Sequence, residues 1–376
     1  MINIGTVMRP LPYYPQQFRQ SRPYYKETLA AATPFFQAGA VEGIQREYSL
    51  LMEQLAPRFL AERRPHDKVT PELFLNLTRE SMIGLSMLEL DRYGSRLLHV
   101  APELVEAFLH SDSDEIALED LHLPFTAFYL HLGRQDSLPL NQGKVYLQGA
   151  LIRRIGEQGL RVTLAGAWPQ DPPHDWRRRN EEIYDLMFRA PLLQLPVKDA
   201  IEAALAEDRA DIESRLQELK RTLANEDARA LADTLLHNLE ANRSALAAAC
   251  NVIVNTLCYL TSYADDQEER WPQEAPTRLA WQADTGSPTE RRRAESKLRA
   301  LGFTRVLRVG QQFVEANTWG ATALSPHWRR GHWRRQAHGP RLSLRKLLWI
   351  KPARVLGGNH SAEDRVYTVN ITETGK

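Results

Sequence analysis

The sequence predicts an α+β fold: a helical body with an antiparallel β-meander and a basic C-terminal segment of strands or loop. Apolar residues recur at helical spacing over five segments: 39–62, 70–90, 101–110, 197–223 and 226–262. Strand-forming residues dominate three consecutive segments: 126–132, 144–155 and 160–168. Because strands and helices do not alternate along the chain, a Rossmann-type fold is not expected.

The first half of the chain contains several boundary signals. Residues 1–37 are rich in Pro and Tyr, which predicts an extended or irregular arm, and we expect its aromatic rings to cover the body. Thr70 followed by Pro71 is typical of a helix N-terminus. The four residues from Gly156 to Gly159 are expected to form the turn of a β-hairpin.

The second half begins with two long helices and then becomes polar. Segments 197–223 and 226–262 predict an antiparallel helical hairpin, and the apolar end of the second helix is expected in the core. Polar composition and Pro272, Pro276 and Pro288 predict a surface linker. We therefore expect four parts: an arm at 1–37, a body at 38–263 with the hairpin at 197–262, a linker at 264–296 and a basic module at 297–376.

Composition places the protein in the folded, intracellular class. Of 376 residues, 43% are hydrophobic and 25% are charged, which fits one large or two ordinary domains. The most apolar run, 245–260, is too short for a membrane span, and the N-terminus lacks a signal peptide pattern. Cys250 and Cys258 are too far apart on one helix for a disulfide, so we expect free core thiols and a cytoplasmic protein.

Charge is unevenly distributed, although the net charge is only +1. Between Arg291 and Lys351 there are 15 Lys or Arg residues and two acids, so this stretch carries +13 and the rest carries −12. Such asymmetry is typical of an acidic scaffold with one basic surface. The alternative is a basic face that acidic neighbours neutralise within the fold.

The most informative segment is a tandem copy of His-Trp-Arg-Arg on either side of Gly331. Arginine recognises phosphate with two parallel hydrogen bonds, and an exposed tryptophan provides a face on which a base stacks. This combination predicts a single-stranded nucleic-acid surface. Its expected contact residues are Trp328, Arg329, Arg330, Trp333, Arg334, Arg335, Arg345, Lys346 and Trp349.

The five-residue period has a geometric consequence. Side chains alternate along a strand, so positions five apart face opposite ways. A β-bulge at Gly331 would add one residue and bring both copies to one face, where His327 and His332 would flank one ligand. Without the bulge, one copy would point inward and serve packing. The sequence leaves both arrangements open.

His327 and His332 are also candidate catalytic residues. Two imidazoles beside arginines are suited to metal-free acid–base cleavage of RNA. A metal site is not expected, because His327, His332 and His338 have no carboxylate or Cys nearby in the sequence. The chain contains no Gly-rich phosphate-binding motif, so no cofactor is expected.

The C-terminal motif resembles a family of phage- and plasmid-borne proteins that includes a type V-A anti-CRISPR protein. The residues that carry the resemblance are Pro326, His327, Arg329, Arg330, Gly331, His332, Trp333, Gly339, Arg345, Trp349, Pro352 and Val355. The resemblance implies a protein that lowers production of the CRISPR effector nuclease by recognising its nascent chain and triggering loss of the message. It also implies a functional role for His327, Arg329, Arg330, His332 and Trp333.

The sequence therefore predicts a mobile-element accessory protein that acts on RNA or on a ribosome–nascent-chain complex, by binding rather than catalysis. Two alternatives stay open. One is a metal-free ribonuclease that uses His327 and His332. The other is a protein-interaction module that grips an acidic partner or a nascent peptide.

Overall fold

The computed structural model describes residues 13–22, 25, 27, 30, 71–140, 143, 145–156, 159–167, 181–222, 225–317, 327–329 and 331–355. Its helices are α1 Tyr14–Ser21, α2 Pro71–Arg92, α3 Pro102–Leu109, α4 Ala190–Leu193, α5 Val197–Thr222, α6 Asn225–Ser262, α7 Thr277–Thr285, α8 Pro288–Ala300 and α9 Gln311–Asn317. Its strands are β1 Leu97–Val100, β2 Ser111–Asp112, β3 Ala127–Leu140, β4 Val145–Ile155, β5 Gly159–Ala167, β6 Glu181–Arg189, β7 Gln267–Arg270, β8 Val306–Val309, β9 His327–Arg329, β10 Gly331–His338, β11 Leu344–Ile350 and β12 Ala353–Val355. Short 3-10 helices lie at Leu118–Asp120, Ala264–Asp266 and Pro340–Leu342.

The fold is α+β, as the sequence predicts. Within the described residues, the largest sheet has seven strands in the order β6-β5-β4-β3-β1-β8-β7. Its β3–β5 portion is the predicted antiparallel meander, with Leu130 opposite Ala150 and Ile152 opposite Val162. Strand β6, which was not predicted, extends the meander and places Leu186 opposite Val162. Two pairings were not expected: β1 runs parallel to both β3 and β8. Strands of four residues show too little alternation to reveal partners that lie far away in the sequence.

Helices α3, α5 and α6 contribute to the core on one side of this sheet. Helices α5 and α6 form the predicted hairpin, linked by an ion pair between Arg243 and Glu202. The apolar end of α6 is buried, and Cys250 and Cys258 are free and buried, as predicted. Burial raises the pKa of each thiol to about 12. The segment Ala232–Ser262 is apolar and long enough to cross a membrane, but 72% of its most apolar window lies inside the protein, as in a core helix.

The described part of the N-terminal arm packs on a second core cluster with α2. Tyr13, Tyr14 and Phe18 are buried against sheet residues, which confirms the covering role expected of the arm. The expected conformation was wrong for 14–21, because this stretch is the helix α1 with Pro15 in its first turn, where no backbone N–H is needed. The Tyr13 hydroxyl lies 3.0 Å from Nδ1 of His99. Residues of the predicted helix at 39–62 lie outside the described part.

The linker predicted over 264–296 is also corrected. This segment contains β7, α7 and α8, and the two helices pack around their own small core, which includes Ala283 and Leu298. The prolines are the cause of the error, since Pro288 occupies the first turn of α8 instead of interrupting it. Glu290 then accepts a hydrogen bond from the Ser287 backbone N–H at 2.9 Å, which caps the helix.

Candidate nucleic-acid interface

The basic C-terminal segment forms an antiparallel hairpin of β10 and β11, residues 331–350, here called the basic ribbon. His332 pairs with Ile350 at one end, and His338 pairs with Leu344 at the other. The connecting turn uses left-handed backbone at Gly339, with φ 76°, and at Arg341 and Leu342, each with φ 56°. Strand β10 also pairs with β2 of the body, so the ribbon is joined to the body at its base.

Two tryptophans anchor the base of the ribbon. Trp333 and Trp349 are directly opposite each other, with their rings stacked at a centroid distance of 6.0 Å. Only 7% and 3% of their surfaces are exposed. The Trp333 indole N–H donates to Oδ1 of Asn255 at 2.7 Å, and the Trp349 indole N–H donates to Oγ of Ser111 at 3.1 Å.

This burial corrects the expectation that Trp333 and Trp349 stack on nucleic-acid bases. Trp349 instead packs with other aromatic rings, at centroid distances of 5.2 Å from Phe108, 5.8 Å from Tyr259 and 5.6 Å from Phe313. Burying two large rings and pairing both N–H groups stabilises the ribbon's attachment. The sequence shows which residues carry indole and guanidinium groups, but it does not show which of these side chains face the core and which face solvent.

The cations of the ribbon lie on its outside. Arg334, Arg345 and Lys346 are exposed, as is His332. Arg335 is also exposed, and it forms an ion pair with Asp120 of the body. The side chains of His327, Trp328, Arg329 and Arg330, which the sequence also predicts to bind, lie outside those that the structure describes.

Strands β9 and β10, which lie on either side of residue 330, belong to two different sheets among the described residues. Arg329 pairs with Ala353, and His332 pairs with Ile350. Three positions separate these two pairs along both stretches of chain, so the described pairings on either side of residue 330 keep the same register. Which face the first copy of the motif occupies stays a prediction, because its side chains lie outside those that the structure describes.

The structure gives a steric reason for the glycine at position 331. A Cβ at this position would lie 2.6 Å from Cδ of Pro352 and 2.7 Å from Oγ of Ser111, and both distances are too short for real contacts. The Gly331 backbone N–H donates to the carbonyl of His110 at 2.9 Å. Close approach of β10 to the body explains this glycine.

The electrostatic character of the ribbon is strongly positive. Residues 331–351 contain six Lys or Arg and no Asp or Glu. Asp120 is the carboxylate that the described structure pairs with a ribbon arginine, and both partners are well exposed, so the ion pair contributes little stability. Most of the positive charge is therefore available to an external polyanion. No group of three or more metal-binding side chains occurs among the described residues.

Sequence reasoning missed the residues that support the ribbon. Asn255 accepts the hydrogen bond from Trp333, and Asn251 donates to the Ser111 carbonyl at 2.8 Å. Ser113 donates to Oδ1 of Asn251 at 2.5 Å. The available signal was the pair of asparagines, one turn apart, inside the apolar end of α6. Buried amides require partners, so they indicate a polar contact with another element.

Comparison with known proteins assigns the chain to the class of anti-CRISPR proteins. Within this class, the matching model is that of the AcrVA2-like family, described as the anti-CRISPR type V subtype A2 family, and it matches residues 98–357. Because the match spans more than half of the chain, the protein belongs to this family. The matched range includes the basic ribbon and its supports in α3 and α6.

The crystal structure of AcrVA2 matches with 12% sequence identity and a TM-score of 0.32, covering 87% of this chain and 98% of that chain. No curated protein matches the sequence.

Proposed function

We propose that this anti-CRISPR-like accessory protein acts on RNA or on a translating complex, and that the basic ribbon contacts the polyanion. The observation that supports the proposal most strongly is the separation of roles on one hairpin. Indoles fix its base inside the body, while Arg334, Arg345 and Lys346 remain at the surface. The proposal includes a cytoplasmic location, where translation takes place.

The ribbon is suited to phosphate rather than to base recognition. Arginine and lysine neutralise phosphates, and each such contact displaces a condensed cation from the nucleic acid. Because Trp333 and Trp349 are buried, the described side chains of the ribbon include no exposed Trp, Tyr or Phe ring on which a base could stack. Binding through the ribbon is therefore expected to be sensitive to salt and tolerant of sequence.

A second candidate is a peptide partner, such as an acidic segment or a nascent chain. Among the described residues, β11 is the edge strand of the sheet β11-β10-β2, and an edge strand offers unpaired backbone groups to an extended peptide. Leu344, Arg345 and Lys346 are all exposed on this strand, which provides both apolar and cationic contacts. Such a partner would bind without competition from RNA.

The ribonuclease alternative has less support. It requires His327 and His332 to flank one substrate, which in a strand needs an extra residue between them, and the described pairings on either side of residue 330 keep the same register. Binding without cleavage is therefore the activity that we propose for the ribbon.

The proposal is tested in a cell-free translation reaction programmed with the message of a type V effector nuclease. We expect the protein to reduce both the nuclease product and its message, and to leave an unrelated message unchanged. The triple variant Arg334→Ala/Arg345→Ala/Lys346→Ala should lose this effect. A control removes the same charge from exposed positions on the helical hairpin: Lys198→Ala/Arg209→Ala/Arg229→Ala.

Two results would contradict the proposal. Equal activity of the two triple variants would remove the ribbon from the mechanism. Loss of nuclease product with a stable message, reversed by an acidic peptide but not by RNA, would favour the peptide partner.

A further inference from the structure

The helix pair α7–α8 forms a second basic surface that the proposed function does not use. Its helices pack around a small core separate from the main ones, formed by Ala275, Ala283, Ala294, Leu298 and Phe303. Arginine and lysine dominate its outside, with exposed Arg278, Arg292, Arg293 and Lys297. The pair is thus a folded unit with a cationic exterior.

The acids of this unit are already engaged within it. Asp284 accepts hydrogen bonds from Arg305 at 2.7 Å and from the Trp271 indole N–H at 3.1 Å. Glu290 caps α8, and Glu295 lies 4.0 Å from Arg299.

The remaining cations are therefore available to an external ligand. No carboxylate of the described residues forms an ion pair with Arg278, Arg292, Arg293 or Lys297. Their charge is consequently directed at solvent, where it attracts a polyanion.

Trp281 provides the second independent feature. It is 64% exposed, the highest value for a large hydrophobic side chain among the described residues. Arg278 precedes it by three positions on α7, so both project from the same side of the helix. The Trp333 and Trp349 rings are buried, whereas this ring is open to a stacking partner.

We propose that α7–α8 is a binding site for single-stranded RNA, in which a base stacks on Trp281 and arginines contact the neighbouring phosphates. The choice of RNA rests on the proposed function. An unpaired strand fits better than a duplex, because stacking on a side chain requires a base that is not already stacked in a helix. The ribbon then contributes sequence-independent phosphate contacts, and Trp281 contributes the preference for bases.

The test compares two fluorescent probes of equal length and charge: a 12-nucleotide oligouridylate and an abasic ribose-phosphate chain. We expect the full-length protein to bind the oligouridylate about tenfold more tightly, as one stacked base provides. Trp281→Ala should abolish this ratio, and Trp281→Phe should retain part of it. Tyr93→Ala, which removes another exposed aromatic ring, should leave the ratio unchanged.

Failure of this inference is distinguishable from failure of the proposed function. The ribbon variant Arg334→Ala/Arg345→Ala/Lys346→Ala should weaken both probes equally. If it changes neither probe while Trp281→Ala abolishes the ratio, the proposed role of the ribbon fails and the stacking site stands.

Two outcomes would overturn the stacking site. One is an unchanged ratio in Trp281→Ala. The other is a competition result: polyglutamate at equal charge concentration displaces RNA from α7–α8, and Trp281→Ala does not change RNA affinity. That result would assign the surface to an acidic protein.

Discussion

The substitution Trp333→Phe separates the anchoring role of this indole from a stacking role. Phenylalanine keeps an aromatic ring in the core but lacks the N–H that donates to Oδ1 of Asn255 at 2.7 Å. A buried acceptor without a partner costs about 1–3 kcal/mol, and the cavity left by the smaller ring adds on the order of 1 kcal/mol. We therefore expect the free energy of unfolding to fall by about 2–4 kcal/mol.

Urea unfolding followed by circular dichroism measures this loss, with Trp281→Phe as the matched exposed control. The control should change stability by less than about 0.5 kcal/mol. In the absence of urea the Trp333→Phe variant remains folded, and its affinity for RNA should stay within about twofold of that of the wild type. Unchanged stability together with a large loss of RNA affinity would refute the anchor and restore Trp333 as a stacking residue.

The remaining predictions concern pH, packing and catalysis. Burial lowers the pKa of His99 to about 4 and that of His131 to about 3, whereas an unfolded histidine titrates near 6.5. Below pH 6.5 the unfolded chain binds protons that the folded chain does not, so the free energy of unfolding should fall by about 1.4 kcal/mol per histidine for each pH unit down towards 4. In urea unfolding at several pH values, His131→Asn should remove about half of this pH dependence. An identical pH dependence in wild type and variant would exclude His131 as a cause. Gly331→Ala should lower the thermal midpoint, because its Cβ overlaps the Ser111 hydroxyl and the neighbouring proline, and an unchanged midpoint would contradict the close approach. Labelled RNA incubated with the protein and EDTA should stay intact, and cleavage that His332→Ala abolishes without loss of binding would revive the ribonuclease.

Local pattern was sufficient for the elements with long, regular spacing. The helical hairpin, the meander and the burial of the apolar end of α6 all follow from periodicity alone. The start of helix α8 could also be recognised from the sequence, because Ser287, Pro288 and Glu290 form a typical helix N-terminus. It was missed because Pro288 also fits a loop, and the packing of Leu298 decides between the two.

The candidate site was only partly predictable. Charge showed that the C-terminal segment is basic, but it could not show which side of β10 faces inward. That choice depends on Ser111 and Asn255, whose polar groups receive the two indole N–H groups from elements far away in sequence. The same limitation applies to the parallel pairing of β1 with β8, because non-local partners leave no local pattern.

The salt dependence of RNA binding tests the central claim most directly. For a single strand, each lost phosphate contact reduces the slope of log affinity against log salt concentration by about 0.7. Replacing Arg334, Arg345 and Lys346 by alanine should therefore reduce the magnitude of the slope by about 2, while the Lys198→Ala/Arg209→Ala/Arg229→Ala control keeps the wild-type slope. Identical slopes for wild type and the ribbon variant would show that these cations do not contact phosphate.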